Sequence, residues 1–315
     1  MTSDASQAVP RRSGFAANPQ ARPGPVTLCY EEFGSDADPA VLLIMGWSAQ
    51  MLYWPTAFCE QLAAKGFRVI RFDNRDIGES TKFRGKKPRP IVPSIVRFFF
   101  GKPSAGATYA LPDLAQDAIA LLDALGVAQA HIVGASMGGM IGQIVAADYP
   151  DRVLSFGAVF TAPLRPFVFF TTLKALPLFL KKPPANETKE QTVDRLSREI
   201  QWLSGDAKRH ESALRAELAR AYDRGRGDLA GSVRQMDGLL ATASLVGHAE
   251  RINCPTVVIH GAKDPLVRTA CGKDLASIVP GATLRVIPGM GHSIAEPVWP
   301  ILVDELTANF AKATT

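Results

Sequence analysis

A serine flanked by glycines, Gly134-Ala-Ser136-Met-Gly138, follows the run Ala130-His-Ile-Val and precedes the small-residue stretch Gly139-Met-Ile-Gly-Gln. Strand, sharp turn and helix in that order are the setting in which G-x-S-x-G lifts a serine hydroxyl from the top of a sheet as a nucleophile. Gly134 and Gly138 would let strand and helix approach. The competing reading of these residues alone is an ordinary glycine-rich turn. A serine hydroxyl needs a base, and the base needs an orienting acid. Of the five histidines, His131 opens a strand, His260 ends one, and His210 and His248 fall in or beside a helical stretch. His292 differs: it lies in Pro288-Gly-Met-Gly-His292-Ser, a glycine-rich loop after the last strand, able to reach over a sheet edge. Asp264, in Gly261-Ala-Lys-Asp264-Pro, directly follows the preceding strand, although alone it reads equally as an Asp-Pro turn.

The elements needed to bring these three together are visible in the patterning. Short apolar runs at 26–30, 41–45, 68–72, 131–133, 153–160, 256–260 and 283–287 read as strands. Helical spacing predicts helices over 55–65, 112–125, 137–148, 268–279 and 299–311. Strands alternating with helices argue for a largely parallel sheet covered on both faces, whose C-terminal edge binds ligands. Residues 1–25 read as a flexible arm, and the stretch from the 73–80 loop to about 108 reads as irregular. Between 163 and 247 no strand candidate occurs. There Val193, Leu196, Ile200 and Leu203, then Leu214, Leu218 and Tyr222, then Val233, Met236, Leu239 and Leu240 each share a helical face. The expected organisation is therefore a core of 26–162 and 248–315 interrupted by a helical cap over 163–247.

The chain order Ser136, Asp264, His292 is the one expected of an α/β-hydrolase, and from about 26 to 312 the chain resembles that superfamily. The segments Leu42-Leu-Ile-Met-Gly46-Trp, Trp54-Pro55, Arg71-Phe-Asp-Asn-Arg-Asp-Ile-Gly-Glu-Ser80 and Pro288-Gly-Met-Gly-His292 are similar to the aclacinomycin methylesterase-like branch of bacterial carboxylesterases. The resemblance implies a mostly parallel eight-stranded sheet, ester hydrolysis and a triad of Ser136, Asp264 and His292. The oxyanion hole would use the backbone N–H of Met137 and that of Trp47, in the loop after the strand at 41–45. Many relatives carry His-Gly where this chain has Met45-Gly46. Asp73 and Arg75 read as a buried charge pair that fixes their turn, because a catalytic carboxylate there would duplicate Asp264. Such a mechanism needs no metal and no cofactor.

A net charge of +5 without a recognisable nucleic-acid-binding module argues against nucleic acid as a partner. Four scattered cysteines read as reduced, and no apolar segment follows Arg11-Arg12, so a cytoplasmic location is expected. Two segments, 91–100 and 167–180, are unusually apolar. They read equally as pocket lining and as packing of the cap on the core, with a lid resting on lipid less favoured. Cations flank both: Arg84, Lys86, Lys87, Arg89 and Lys102 for the first, Lys181 and Lys182 for the second. Trp47, Phe167 and Met290 are the expected substrate contacts. The leading function is a serine carboxylesterase for a small hydrophobic ester. A cofactor-free perhydrolase or haloperoxidase and a C–C bond hydrolase share the triad, and a non-catalytic ligand receptor is the alternative of another class. Enzymes of this fold with Asp as nucleophile are disfavoured by Ser136.

Overall fold

The computed structural model describes residues 9–84, 91–165, 171–172, 174–175, 178, 184, 186–225 and 229–313, the side chain of Ile91 excepted. Eight strands form one sheet in the order β1-β2-β4-β3-β5-β6-β7-β8. They are β1 (Arg11–Asn18), β2 (Val26–Phe33), β3 (Ala40–Ile44), β4 (Arg68–Phe72), β5 (Ala130–Ala135), β6 (Val153–Val159), β7 (Thr256–Gly261) and β8 (Thr283–Ile287). From β4 through β3 to β8 every pairing is parallel, while β1–β2 and β2–β4 are antiparallel. Strands β3, β4, β5 and β7 are buried at every position, as expected of runs such as Ala-Val-Leu-Leu-Ile in a parallel sheet covered on both sides.

The helices are α1 (Thr56–Ala63), α2 (Ile91–Phe99), α3 (Leu111–Ala124), α4 (Met137–Asp148), α5 (Lys189–Leu203), α6 (Glu211–Asp223), α7 (Leu229–Ala241), α8 (Val246–Ala249), α9 (Thr269–Ile278) and α10 (Trp299–Ala311). Two apolar clusters flank the sheet. One gathers α3 and α4 against Leu42, Ile70 and Ile132; the other gathers α1 and α10 against Val41, Val69 and Val257. Among the described residues no helix is long and apolar enough to cross a membrane.

Two expectations are corrected. The flexible arm over 1–25 does not hold where it is described: residues 11–18 form β1, paired along its whole length with β2. The irregular stretch after residue 80 contains α2. Its Pro93 stands in the first turn, where the missing N–H costs no helical bond.

Helices α5, α6 and α7 all fall between β6 and β7. Helix α5 begins with a reciprocal cap, Gln191 N donating to Thr188 Oγ1 at 3.2 Å and Thr188 N to Gln191 Oε1 at 3.0 Å. Val193, Ile200, Leu214 and Leu218 form a third small apolar cluster between α5 and α6. Met236, Leu239 and Leu240 of α7 instead join the main core.

Candidate active site

Ser136 stands between β5 and α4 with φ 57° and ψ −122°, a left-handed conformation that a non-glycine residue holds only when its surroundings force it. The force comes from close approach on both sides. A Cβ on Gly134 would overlap the Gly138 carbonyl, and a Cβ on Gly138 would overlap the Ile44 carbonyl. Ser136 N donates to Val159 O at 3.0 Å, and Thr161 Oγ1 donates to Ser136 O at 2.7 Å, which ties the elbow to the end of β6. Met137 begins α4, so its N–H is one of the first-turn donors that have no partner within the helix. Gly46 lies against the serine: a Cβ there would come 3.0 Å from Ser136 Cβ. The Gly46–Trp47 peptide therefore borders Ser136.

Asp264 sits in the turn after β7. Its Oδ1 accepts from Leu266 N at 2.8 Å and Val267 N at 2.9 Å, leaving Oδ2 for His292 Nδ1 at 2.7 Å. The pair is shielded, with side chains 0% and 7% exposed. The loop that carries His292 is pinned by backbone bonds. Gly291 N donates to Ser204 O at 2.9 Å, His292 N to Leu203 O at 2.6 Å, and Lys263 N to Met290 O at 2.9 Å. The end of α5 and the aspartate turn thus hold the imidazole from both sides.

The structure brings Asp264 and His292 into contact and puts Ser136 at the same sheet edge. No hydrogen bond joins Ser136 to His292 among the described residues. Phe160 packs on the imidazole. It directly follows Val159, the acceptor of Ser136 N, and its ring packs 4.4 Å from the His292 ring between centroids. At φ 36° Phe160 is itself a left-handed residue. Sequence reasoning missed it, and a phenylalanine at a strand end carries no signal that would have revealed it. A second histidine, His260, is also close, with Nε2 3.6 Å from Asp264 Oδ2. That nitrogen bonds the Val267 carbonyl at 2.9 Å, and burial pushes the His260 pKa down and favours a neutral ring.

Trp47 is half-buried, and its indole Nε1 donates to Ser232 O of α7 at 2.7 Å. Ser48 N donates to Gln235 Oε1 at 2.9 Å, so the loop beside Ser136 is fastened to α7. Met290 does not meet the expectation of a substrate contact. Its side chain is wholly buried within the second apolar cluster. Phe167 and most of 167–180 lie outside the described residues.

The charge pair expected between Asp73 and Arg75 is not formed. Asp73 pairs with Arg224, at the end of α6, at 2.9 Å, and Arg75 pairs with Asp117 of α3 at 2.6 Å. Asp76 in turn holds Arg234 of α7 at 2.6 Å. The reason is geometric: neighbouring side chains on this tight turn point into different elements. The charges of the turn reach α3 and the helices between β6 and β7, while the turn itself is closed by Glu79 N donating to Asp73 Oδ2 at 3.0 Å and Ser80 Oγ to Asp73 O at 2.6 Å.

Strand order, strained elbow and an acid–imidazole pair after β7 and β8 together define a class. The chain belongs to the α/β hydrolase fold family, whose model matches residues 39–296. In sequence it is 31% identical over 311 residues to the rhodomycin D methylesterase DauP of Streptomyces sp. strain C5, covering 92% of this chain and 96% of that protein. It is 33% identical over 195 residues to the pimeloyl-[acyl-carrier protein] methyl ester esterase of Chromobacterium violaceum, covering 61% and 74%. Among solved structures, the enol-lactonase of Burkholderia xenovorans LB400 superposes with a TM-score of 0.65 at 23% identity, over 91% of this chain and 97% of that one.

Proposed function

We propose that this protein is a serine carboxylesterase acting on a methyl ester of a bulky, largely apolar acid. The Asp264–His292 pair at the sheet edge that also bears the strained Ser136 carries the reading. The similarity to two methyl ester hydrolases supports the choice of ester.

In the proposed reaction His292 Nε2 takes the proton of Ser136 as the hydroxyl attacks the ester carbonyl. Asp264 holds Nδ1–H, fixing the tautomer and stabilising the imidazolium. The backbone N–H groups of Met137 and Trp47 receive the oxyanion. His292 protonates the departing methoxide, and water, deprotonated by the same imidazole, releases the acid. For the serine–histidine bond to form, the imidazole must close on the hydroxyl when substrate arrives, as apo sites of this kind commonly do.

The test is hydrolysis of p-nitrophenyl esters of graded chain length beside methyl esters of polycyclic acids. Methyl ester turnover should fall by about 10⁶-fold in Ser136→Ala, and a fluorophosphonate should label the wild type at that serine alone. Wild-type protein that binds such esters without turnover would be a receptor and would overturn the reading.

A further inference from the structure

Seven large apolar side chains are exposed among the described residues, and three of them, Val92 (61%), Val96 (50%) and Phe100 (67%), fall at spacing i, i+4, i+8. They form one stripe along α2, which continues through Phe100 because Phe100 N donates to Val96 O at 3.3 Å. The opposite face is fixed. Phe98 is buried in the main core, and Ser94 and Ser104 both donate to Asp237 of α7, at 2.8 and 2.7 Å. The stripe is therefore presented to solvent by a docked helix.

Exposed cations rim this stripe. Arg97 on the helix and Lys102, whose N–H donates to Arg97 O at 2.9 Å, are both exposed, and neither has a carboxylate partner among the described residues. Arg97 bonds only the Pro103 carbonyl, at 3.2 Å. An apolar stripe edged by cations suits a surface that is apolar beneath and anionic at its rim. A second copy of the chain fits less well, because two-fold pairing through α2 would set the same cations against one another. A nine-residue helix is too short to span a bilayer but can lie within its interface.

We propose that α2 docks this protein on an anionic lipid bilayer, with Val92, Val96 and Phe100 inserted and Arg97 and Lys102 against the headgroup phosphates. The same helix leans on α7, and α7 holds Trp47 and Ser48 beside Ser136 through Ser232 and Gln235. Docking would thus place the site's rim near the membrane, where apolar esters concentrate.

The test is co-sedimentation of the full chain with phosphatidylcholine vesicles, with and without phosphatidylglycerol. Binding is expected only with the anionic lipid, weakening as salt rises. Phe100→Asp and Val96→Asp should each lower vesicle partitioning by about tenfold or more, the ratio expected from losing one buried apolar side chain. Arg97→Glu, which keeps the apolar stripe, should reduce binding chiefly at low salt. Turnover of a soluble short-chain ester without vesicles should be unchanged in all three, which also reports that they fold. Absent wild-type binding to anionic vesicles at low salt, or equal binding by the variants, would overturn the proposal. So would a dimer in light scattering that Phe100→Asp dissolves in a chain that ignores vesicles.

Discussion

Asp264 Oδ2 and His292 Nδ1 stand 2.7 Å apart, while Asp264 Oδ1 is already taken by two backbone N–H groups. One carboxylate oxygen therefore builds the turn and the other serves the imidazole. Asp264→Asn separates these tasks. The amide oxygen can still accept from Leu266 N and Val267 N, so the turn survives, but the amide nitrogen then faces Nδ1 as a second donor. The imidazole must carry its proton on the wrong nitrogen. We expect kcat to fall by about 10⁴-fold with little change in melting temperature. A loss of stability as large as the loss of activity would make Asp264 a turn residue first.

The elbow makes a complementary prediction about space. Gly138→Ala would push a methyl into the Ile44 carbonyl, and backbone on backbone cannot yield by a rotamer change. The cost should be about 2–3 kcal/mol, at the upper end for overpacking, read as a lower midpoint in urea. Gly24→Ala meets nothing within 4 Å and should lie within about 0.5 kcal/mol of wild type.

Asp73 and Arg224 give a pH-dependent prediction. Burial is the largest influence on Asp73 and raises its pKa, with Arg224 the main opposing influence. In Arg224→Met the carboxyl rises further. A folded pKa above the unfolded one means that the folded state holds the proton longer, so stability is lost as pH climbs through that window. The variant should be near wild type in stability at about pH 4 and weaker by about 3 kcal/mol near neutrality. Urea titrations across that range measure it. Arg224 Nη1 also donates to Gln50 Oε1 at 2.8 Å, and a penalty independent of pH would show that the loss of this bond, not the charge, dominates.

How much of this was legible in the sequence follows from which signals are local. Strands β3 to β7 announce themselves because each is a short apolar run buried on both faces. Strand β1 does not: Arg11-Arg-Ser-Gly-Phe-Ala-Ala-Asn is an edge strand with only Ala16 and Asn18 buried, so its pattern looks like a tail. The meeting of Asp264 and His292 is readable because each lies in the loop that follows a strand, β7 and β8. The partners of Asp73, Arg75 and Asp76 were not, since Arg224, Asp117 and Arg234 lie dozens to well over a hundred residues away. Phe160 meets His292 only by packing between distant segments, which no short window of sequence encodes.

The last prediction concerns His131, the second residue of β5. Its ring stacks on Phe310 at 4.3 Å between centroids, and Nδ1 shares a hydrogen bond with Ser155 Oγ at 2.9 Å. Burial pushes its pKa down from 6.5 to about 4. Between those values the unfolded chain binds a proton that the folded chain refuses, so stability falls as the solution is acidified through that window. The full effect is about 3 kcal/mol. His131→Gln keeps a group able to bond Ser155 but cannot be protonated. The variant should therefore lose less stability than wild type between about pH 7 and pH 4.5. Some acid sensitivity should persist, because burial depresses His260 in the same direction. Parallel stability curves for the two proteins across that interval would mean that His131 accepts its proton without unfolding β5.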